Sequence, residues 1–514
     1  MVIELVEKYD RQVNRFLEIL PGFLTWTLLL SPIWLGLFFP RATVYLLTFL
    51  SVYWVYLCIK HTIGILRGYY LYKKEREVDW YSECKKLDFN TLPDKSTLPS
   101  SFGNLKHFIL IPVVNEPDQV LKDSLNSILN QTYPTKSITL IYTIEEECHE
   151  DVEKRINKLL EEARGKLDLV LMYVHPMGIA GEAVGVGGAN RTWGAAHAVE
   201  DLRKMGMNIR NYVFSSLDAD HVINSQYLAR LTHLYLTSDR RDNKFYSTAV
   251  HLFNNNLWRV PVIMRIEANA VTLGGLSDWA TAAKDTKDTF SSYSASLQTL
   301  IDANFWDVTI GVDDTIFYWR AFFARSGDFE GVCHYVPYSA DAVEGANYIN
   351  CYVSLYRQLL RWGWGVVDFP LSVKEFIKNK RIPLRSKVSW IVKHLEKRVL
   401  LINIVFLITF GFGILTAVNP YVKQTSFAYS LPNIMSLLLT FTMTFIIPGT
   451  IIRIKLAEPF PEEWPVWKRF LAFLEGPMII FNLLTFSFFP FVEAQTRMLF
   501  GKKMKDLYHT PKVR

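Results

Sequence analysis

Two aspartates separated by one residue, Asp218 and Asp220, follow the apolar run "YVFSSL" that begins at Tyr212. On a turn that leaves a strand, carboxylates at this spacing can reach the same divalent cation, and ligation by oxygen alone suits Mg²⁺ or Mn²⁺. A diphosphate would complete the coordination. The same triplet is also typical of an Asp-rich turn that caps the next helix. The pattern therefore indicates either a metal site or a helix cap. His221 and two later histidines, His251 and His334, could add a ligand, although histidines of this kind are more often ordinary polar residues.

A second acidic pair lies some ninety residues downstream. The stretch "IGVDDTIFYWR" places Asp313 and Asp314 at the start of an aromatic helical pattern. Paired carboxylates can include a general base, which removes a proton from a reacting hydroxyl. The other interpretation is again a helix N-cap.

A third group combines an amide, a guanidinium and an indole. In "YRQLLRWGWG", Gln358, Arg361 and Trp362 fall within about one helical turn, so their side chains face the same neighbourhood. Such a trio suits a diphosphate and a sugar ring. Each residue alone is also typical of a membrane interface, where aromatic rings and long basic side chains gather.

The elements that must position these groups alternate between β-rich and helical patterns. The expected strands are 107–114, 137–144, 167–174 and 211–218, and the expected helices lie around 117–131, 150–165 and 191–205. This alternation predicts an open, largely parallel α/β sheet. Ligands of such sheets bind beyond the carboxyl ends of the strands, which is where Asp218 and Asp220 fall.

The composition indicates a membrane protein with an aqueous middle. Half of the 514 residues are apolar, and the excess lies at the two ends of the chain. Apolar runs of about spanning length cover 22–40, 42–59, 399–418, 431–452 and 470–492. Basic residues flank the first two runs, which places the middle of the chain in the cytoplasm. The net charge is +6, and the basic residues cluster beside the apolar runs. This position indicates that they bind anionic lipid headgroups rather than nucleic acid.

The number of C-terminal apolar runs disagrees with the side of the membrane that the charge of the tail favours. Three spans after a cytosolic domain would leave the basic tail outside, although its charge favours the cytosol. Gly476, Pro477 and Pro490 interrupt the last run, so we expect 470–492 to contain a broken or re-entrant element. The five cysteines form no C-x-x-C pair and no metal-ligand spacing with histidine, so neither a zinc site nor a disulfide framework is expected.

The order of the motifs resembles a known family. "LIPVVNEP", "SLDADH", "VDDT" and "QLLRW" follow one another between apolar spans. In this order they resemble the motifs of the family 2 membrane glycosyltransferases, the group of cellulose, chitin and hyaluronan synthases. The resemblance covers about 105–370 by motif and the flanking spans by architecture. It implies a cytosolic α/β domain of the GT-A fold, with a Rossmann-like open mixed sheet, between N- and C-terminal transmembrane helices.

The resemblance and the apolar runs together give the expected domain boundaries. These are an N-terminal membrane hairpin of two spans (1–65), a linker (66–104), the GT-A glycosyltransferase domain (105–370), amphipathic interface helices (371–398), a C-terminal membrane region (399–495) and a basic cytosolic tail (496–514).

The resemblance also implies a role for each chemical group. Asp218 and Asp220 would hold the diphosphate of the donor through Mg²⁺ or Mn²⁺. Asp314 would deprotonate the acceptor hydroxyl, so that the sugar carbon is inverted in a single displacement. Gln358 and Arg361 would hold the diphosphate leaving group, and Trp362 would form a platform for the acceptor sugar.

The nucleoside end of the expected site departs from the family. Asn115 and Glu116 match the segment that cradles the nucleoside, but Glu145 stands where the family usually has an aspartate that reads the base. The basic segment of the family is replaced by "GVGGANRTWG", in which Arg191 is the nearby cation. Its glycines either let backbone amides approach phosphate or form a flexible loop.

The implied function is an inverting membrane glycosyltransferase. Its donor would be a nucleotide sugar, with a UDP-sugar as the first expectation, and its acceptor a growing polysaccharide or a lipid. One alternative is a non-processive enzyme that glycosylates a ceramide-like lipid. Another is a catalytically silent membrane scaffold, which the missing second-strand aspartate favours.

Overall fold

Two compact groups of residues make up the computed structural model of the chain, which describes residues 2–183, 185, 187–504 and 508–513. Unit 1 comprises Met1–Arg67, Pro261–Thr281 and Leu355–Lys503, and unit 2 comprises Gly68–Val260, Ala282–Ser354 and Met504–Arg514. The described strands are β1 Lys106–Val113, β2 Ile138–Glu145, β3 Leu169–His175, β4 Tyr212–Ser216, β5 Val222–Ile223, β6 Lys244–Thr248, β7 His251–Leu252, β8 Tyr293–Ser296, β9 Glu330–His334 and β10 Tyr338–Ser339.

The described α-helices belong to both units, and their bounds are as follows. They are α1 Val2–Lys8, α2 Asp10–Leu29, α3 Ser31–Phe38, α4 Pro40–Arg76, α5 Trp80–Lys85, α6 Asp118–Leu129, α7 His149–Ala163, α8 Gly187–Lys204, α9 Tyr227–Thr237, α10 Val262–Thr281, α11 Leu297–Asp302, α12 Asp313–Ala324, α13 Tyr348–Gly363, α14 Asp368–Lys378, α15 Leu384–Leu395, α16 Leu401–Val418, α17 Ser426–Met443, α18 Ile446–Leu456, α19 Val466–Phe473, α20 Ile479–Leu484 and α21 Phe489–Leu499.

A seven-stranded sheet in the order β3-β2-β1-β4-β8-β6-β9 forms the centre of unit 2. Strands β3, β2, β1 and β4 are parallel neighbours, whereas β8 runs antiparallel to both β4 and β6. A small second sheet pairs β10 with β5 and β7. The expectation of a mixed α/β domain with parallel strands is confirmed. Its assignment to the GT-A fold stays a prediction.

Helices cover both faces of this sheet, which explains why its central strands are apolar on both sides. Along β1, Ile109 and Ile111 face a core that also holds residues of α6, α7 and α9. Leu110 alternates to the opposite face and lies near Gly194 of α8. The ring of Phe214 in β4 packs edge-on against Phe317 of α12, with 5.6 Å between the ring centroids. The sequence therefore could not show the alternation that marks a half-exposed strand.

The first half of the sheet follows the expected elements closely. Strands β1 to β4 and helices α6 to α8 match the predicted strands and helices to within a few residues. The sequence analysis missed β6, β8 and β9, whose sequences are KFYST, YSAS and EGVCH. These strands have four or five residues with several polar side chains, so neither periodicity nor an apolar run marks them.

Unit 1 consists of helices. Four of the described helical segments are long and apolar enough to cross a membrane: Pro40–Arg76, Leu384–Val418, Pro432–Leu456 and Gly476–Leu499. The pair Asp10–Leu29 and Ser31–Phe38, bent by 59°, would make a fifth. This composition is consistent with a membrane protein. Within unit 1, α4 and α16 pack closely, because a Cβ on Gly411 would lie 2.6 Å from a methyl group of Leu47.

The glycine at position 194 lets α8 lie directly on the sheet. A Cβ added there would lie 1.7 Å from Cγ2 of Thr143 on β2. We predict that Gly194→Ala lowers the free energy of unfolding by about 1–3 kcal/mol, as is typical of an overpacked core, and therefore lowers the melting temperature. Thermal unfolding of the purified full chain in detergent measures the effect.

The partner residue offers a direct control for this packing. Thr143→Ser removes the clashing methyl group, so the double variant should recover part of the stability that Gly194→Ala loses. Gly274→Ala in α10 is the matched substitution, because an added Cβ meets no atom within 4 Å there. Equal melting temperatures for Gly194→Ala and Gly274→Ala would contradict the close contact between α8 and β2.

Candidate functional site

The carboxyl ends of three parallel strands place acidic residues along one edge of the main sheet. Glu116 follows β1, Glu145 is the last residue of β2, and Asp218 comes two residues after β4. Since β1 pairs in parallel with both β2 and β4, these residues meet at the same edge. The sequence analysis expected a ligand site at this edge, and the topology gathers the residues there.

The turn after β4 brings Asp218, Asp220 and His221 together. One ligand atom from each of them lies within 4.8 Å of the others. Asp220 is almost fully buried, and its Oδ2 accepts a hydrogen bond of 2.8 Å from the backbone N–H of Asp341. The side chain of Asn255 donates to the carbonyl of Asp220 and to Oδ1 of Asp341. The carboxylate of Asp220 is therefore held by the backbone of Asp341, and its backbone carbonyl by Asn255.

His221 supports Asp218 in this arrangement. The backbone N–H of Asp218 donates to Nδ1 of His221 at 3.1 Å, so Nδ1 must be an acceptor and the neutral ring carries its proton on Nε2. Nε2 lies 3.6 Å from Oδ2 of Asp218. Burial lowers the pKa of His221 in spite of the adjacent carboxylates, which keeps the ring neutral. This tautomer favours ligation of a cation by carboxylate oxygens, with His221 as a hydrogen-bonded support.

A single guanidinium joins the two acidic pairs. Arg191 on α8 is 6% exposed and donates to Oδ1 of Asp218 at 2.6 Å and to Oδ2 of Asp313. Its second contact links the turn after β4 to the first turn of α12. The sequence analysis noted Arg191 as the nearby cation but could not predict that it binds both pairs.

The glycines before Arg191 allow this close approach. A Cβ on Gly188 would lie 2.3 Å from the carbonyl oxygen of Asp307 and 2.9 Å from Cβ of Asp313. Gly187 and Gly188 are the first residues of α8 and not part of a loop. Because Gly187 and Gly188 begin a helix, a flexible loop does not describe these two residues, and the approach of their backbone amides to phosphate stays a prediction. Gly188 also lets α8 pack closely against the segment that precedes α12.

Asp313 and Asp314 are neighbours with different surroundings. Asp313 is buried and ion-paired with Arg191, whereas 32% of the Asp314 side chain is exposed and its Oδ1 lies 4.0 Å from Arg191. The hydroxyl of Thr289 donates to the backbone carbonyl of Asp314. Asp313 therefore serves the network around Arg191, while the Asp314 side chain is partly open to solvent although its Oδ1 is buried.

Asn115 and Glu116 are held by hydrogen bonds at the end of β1. Arg155 of α7 donates to Oδ1 of Asn115 at 2.8 Å and to the carbonyl of Glu116 at 2.6 Å. Oε2 of Glu116 accepts from the backbone N–H of Val114. The side chain of Glu116 is buried and that of Asn115 is exposed, so of these two residues Asn115 is the one open to solvent.

Glu145 has an unexpected partner in His175, the last residue of β3. Nδ1 of His175 lies 2.9 Å from Oε2 of Glu145, and Nε2 lies 2.8 Å from Oε2 of Glu182. Burial lowers the pKa of His175, but the hydrogen bonds to the two carboxylates outweigh it and raise the pKa above its ordinary value of 6.5. A protonated ring can donate to both glutamates at once. Nothing in the sequence marks this trio, because its members lie on separate elements.

The remaining predicted residues belong to unit 1. Gln358, Arg361 and Trp362 lie in the last two turns of α13 and are half-buried. Their spacing of three and four residues places them on the same side of the helix. Their predicted contacts with diphosphate and acceptor stay predictions.

The sequence analysis missed two charged residues at the candidate site. Asp341 follows the short strand β10, and Lys512 lies near the C terminus with Nζ 2.7 Å from Oδ2 of Asp220. Burial alone would raise the pKa of Asp220, but Lys512 lowers it well below the usual range. Of these two residues, only Asp341 carries a sequence signal. It lies in the stretch "SADAVEG" directly after the short strand β10, so a search for acids at strand ends could have found it.

The comparisons with known proteins yield distant structural similarities only. No family model matches the sequence, and no curated protein matches it. The chain is similar to the mannosyltransferase PcManGT from Pyrobaculum calidifontis in complex with GDP-Man and Mn²⁺, at 13% identity and a TM-score of 0.42, over 79% of this chain and 99% of that one. It is also similar to S. aureus TarS 1-349 in complex with UDP-GlcNAc, at 11% identity and a TM-score of 0.32, over 78% and 93% of the two chains. At TM-scores below 0.5 these similarities support no inference about this chain.

The His175 trio predicts a pH dependence of stability. Because the folded pKa lies above the unfolded one, the contribution of His175 is complete below about pH 6.5 and is lost as the pH rises through the raised value. We expect the difference in melting temperature between the wild type and His175→Gln to be largest near pH 6 and to shrink towards pH 9. Thermal unfolding of both proteins across this range measures it. A difference that stays constant with pH would contradict a protonated His175.

Proposed function

We propose that this chain is an inverting membrane glycosyltransferase of family 2, which transfers a sugar from a nucleotide-sugar donor to a growing polysaccharide or a lipid acceptor. The observation that supports this best is the contact of Arg191 with both Asp218 and Asp313. It brings the aspartate pair after β4 and the aspartate pair of α12 into one site, as the motif order of the family requires. Two helix caps without a shared function would not need a common buried cation.

The acids at this site have the donor set that Mg²⁺ or Mn²⁺ prefers. Asp218 and Asp220 offer carboxylate oxygens within reach of one ion, and their negative charge is offset in part by Arg191 and Lys512. These two aspartates would hold the cation, which when bound would neutralise the diphosphate of the donor. Oxygen ligation also agrees with the tautomer of His221.

Asp314 is the residue that we assign to the acceptor. In the proposed step its carboxylate takes the proton of the acceptor hydroxyl, and the hydroxyl oxygen forms a bond to the anomeric carbon of the donor sugar. The bond from that carbon to the diphosphate breaks on the opposite face, and its electron pair leaves with the nucleoside diphosphate. The exposure of Asp314 beside the ion-paired Asp313 favours Asp314 as the base.

The other predicted residues complete the proposal. Asn115, Glu116 and Glu145 would bind the nucleoside, Gln358 and Arg361 the diphosphate, and Trp362 the acceptor sugar. Asn115 is the most accessible of the first three, while Glu145 would act from a position fixed by His175. A UDP-sugar is the first donor to test, and membrane lipids would surround unit 1.

The test of this function is turnover of nucleotide sugars by the purified full chain with Mg²⁺ and Mn²⁺. We expect wild-type turnover that EDTA abolishes. Asp220→Asn should lose both donor binding and turnover, because it removes a charged ligand. Asp314→Asn should keep donor affinity but lose about 10²–10⁴-fold in turnover, as expected of a general base. Calorimetric titration of donor beside the assay separates the two effects.

The control is Glu200→Gln, which removes one exposed charge near the far end of α8. It should leave donor binding and turnover unchanged. Full turnover in EDTA would refute the metal role, and more than about a tenth of wild-type turnover in Asp314→Asn would place the base elsewhere. A wild type that neither binds nor turns over any nucleotide sugar would support the scaffold alternative. Product sizing then distinguishes a polysaccharide from a single transfer to lipid.

We also propose that unit 2 and the C-terminal tail share the cytoplasmic side of the membrane. Lys512 contacts Asp220, so the two residues occupy one compartment. Three candidate spans lie between residues 354 and 504, and three full crossings would separate them. The helical path breaks between α20 and α21, where the backbone N–H groups of Thr485 and Ser487 donate to the carbonyl of Asn482. We place the re-entrant element at this break, within Gly476–Leu499, a segment that is itself long and apolar enough to cross a membrane once.

Labelling of introduced cysteines tests this topology. In a background with the five native cysteines replaced, we expect cysteines at positions 200 and 503 to react with a membrane-impermeant maleimide only after permeabilisation of the cells. Reaction of position 503 from the outside of intact cells would show that the last segment is an ordinary span.

A further inference from the structure

The C-terminal segment 508–513 lies across the candidate donor site. The hydroxyl of Tyr508 donates to Oγ of Ser354 at 2.7 Å, which holds the segment against the second turn of α13. Nε2 of His509 lies 3.4 Å from Oε1 of Glu116, and Thr510 is buried. Lys512 then reaches Asp220. The segment thus contacts both the predicted nucleoside end and the predicted metal end of the site.

The ammonium group of Lys512 binds an oxygen of Asp220 that a metal ion could also use. Its Nζ lies 2.7 Å from Oδ2 of Asp220, and only 18% of the side chain is exposed. A divalent cation on the same oxygen would repel a buried ammonium at hydrogen-bond distance. Lys512 and a metal ion therefore compete for Oδ2 of Asp220.

A lid that closes over the bound donor would have different contacts. In such a lid the basic side chain would point to the diphosphate and would leave the metal ligands free. Here Lys512 is paired with a metal ligand itself, and His509 approaches a residue predicted to cradle the nucleoside. These contacts favour competition with the donor over assistance to it.

We propose that residues 508–513 form an autoinhibitory segment, in which Lys512 occupies the cation position at Asp220 until a divalent cation and nucleoside diphosphate displace it. This inference rests on the proposed function, because it assumes that Asp218 and Asp220 bind a metal. Activation of the enzyme then requires release of residues 508–513 from the site.

The size of the effect follows from the fraction of molecules with a free site. If the segment occupies the site in about nine molecules of ten, the apparent Kd for the cation is about tenfold weaker than that of the open site. Removing the segment, or the charge of Lys512, should therefore lower the apparent Kd for the cation about tenfold. Replacing Lys512 by arginine keeps the charge and should recover much less.

The experiment measures Mn²⁺ binding by electron paramagnetic resonance of the free ion, with and without UDP or GDP. The proteins are the full chain, a chain truncated after residue 507, and the variants Lys512→Gln, Lys512→Arg and Lys502→Gln. We expect the truncated chain and Lys512→Gln to bind Mn²⁺ about tenfold more tightly than the wild type. Lys502→Gln, which removes an equal charge from an exposed residue before the segment, should bind like the wild type.

The outcomes separate the failure of this inference from that of the proposed function. If all five proteins bind Mn²⁺ with the same Kd and turn over nucleotide sugars, the autoinhibitory role is refuted and the proposed function stands. Weaker binding of Mn²⁺ and nucleotide by the truncated chain would also refute it, and would make the segment a lid. If none binds Mn²⁺ or turns over a nucleotide sugar, both proposals fail. Equal melting temperatures confirm that the variants are folded.

Discussion

The buried guanidinium of Arg191 is the interaction on which the candidate site depends. Removing a cation from water is costly unless carboxylates and hydrogen bonds replace its hydration. Asp218 and Asp313 supply them, one from the turn after β4 and one from the first turn of α12. This requirement explains the glycines at the start of α8, since any side chain at position 188 would hold Asp313 away. Because Asp314 follows Asp313 in the first turn of α12, the pairing of Asp313 with Arg191 also positions Asp314.

Five acidic residues gather around the candidate site: Asp218, Asp220, Asp313, Asp314 and Asp341. Arg191 and Lys512 are among the cations that offset their charge. Buried carboxylates without counter-charge would take up protons, yet the pKa of Asp220 is held low by Lys512. An edge of this kind attracts cations, and in the proposed enzyme a metal ion and the chain's own lysine compete for it.

Unit 1 also contains buried charged side chains that are paired with one another. Glu475, just before the Gly-Pro break, pairs with Arg265 of α10 and Arg453 of α18, and all three side chains are largely buried. Charges within membrane segments persist where they pair with one another inside the helical bundle. The pairing ties α10, which interrupts the sequence of unit 2, to the helices of unit 1. It also explains how a segment with a broken helix can be held in place, since neighbouring helices satisfy its polar groups.

The sequence alone determined the features that local patterns encode. Long apolar runs gave the candidate spans, the alternation of β-rich and helical segments gave β1 to β4 with α6 to α8, and the residues around Asp218 and Asp220 gave the turn at the strand end. Contacts between distant residues were decided by the tertiary structure only. Arg191 joins positions 27 and 122 residues away, His175 bridges Glu145 and Glu182, and Lys512 contacts Asp220 from 292 residues further along the chain. Such pairs leave no periodic trace, because a charge can be neutralised by any opposite charge that the fold brings within a few ångströms, whatever its distance along the sequence.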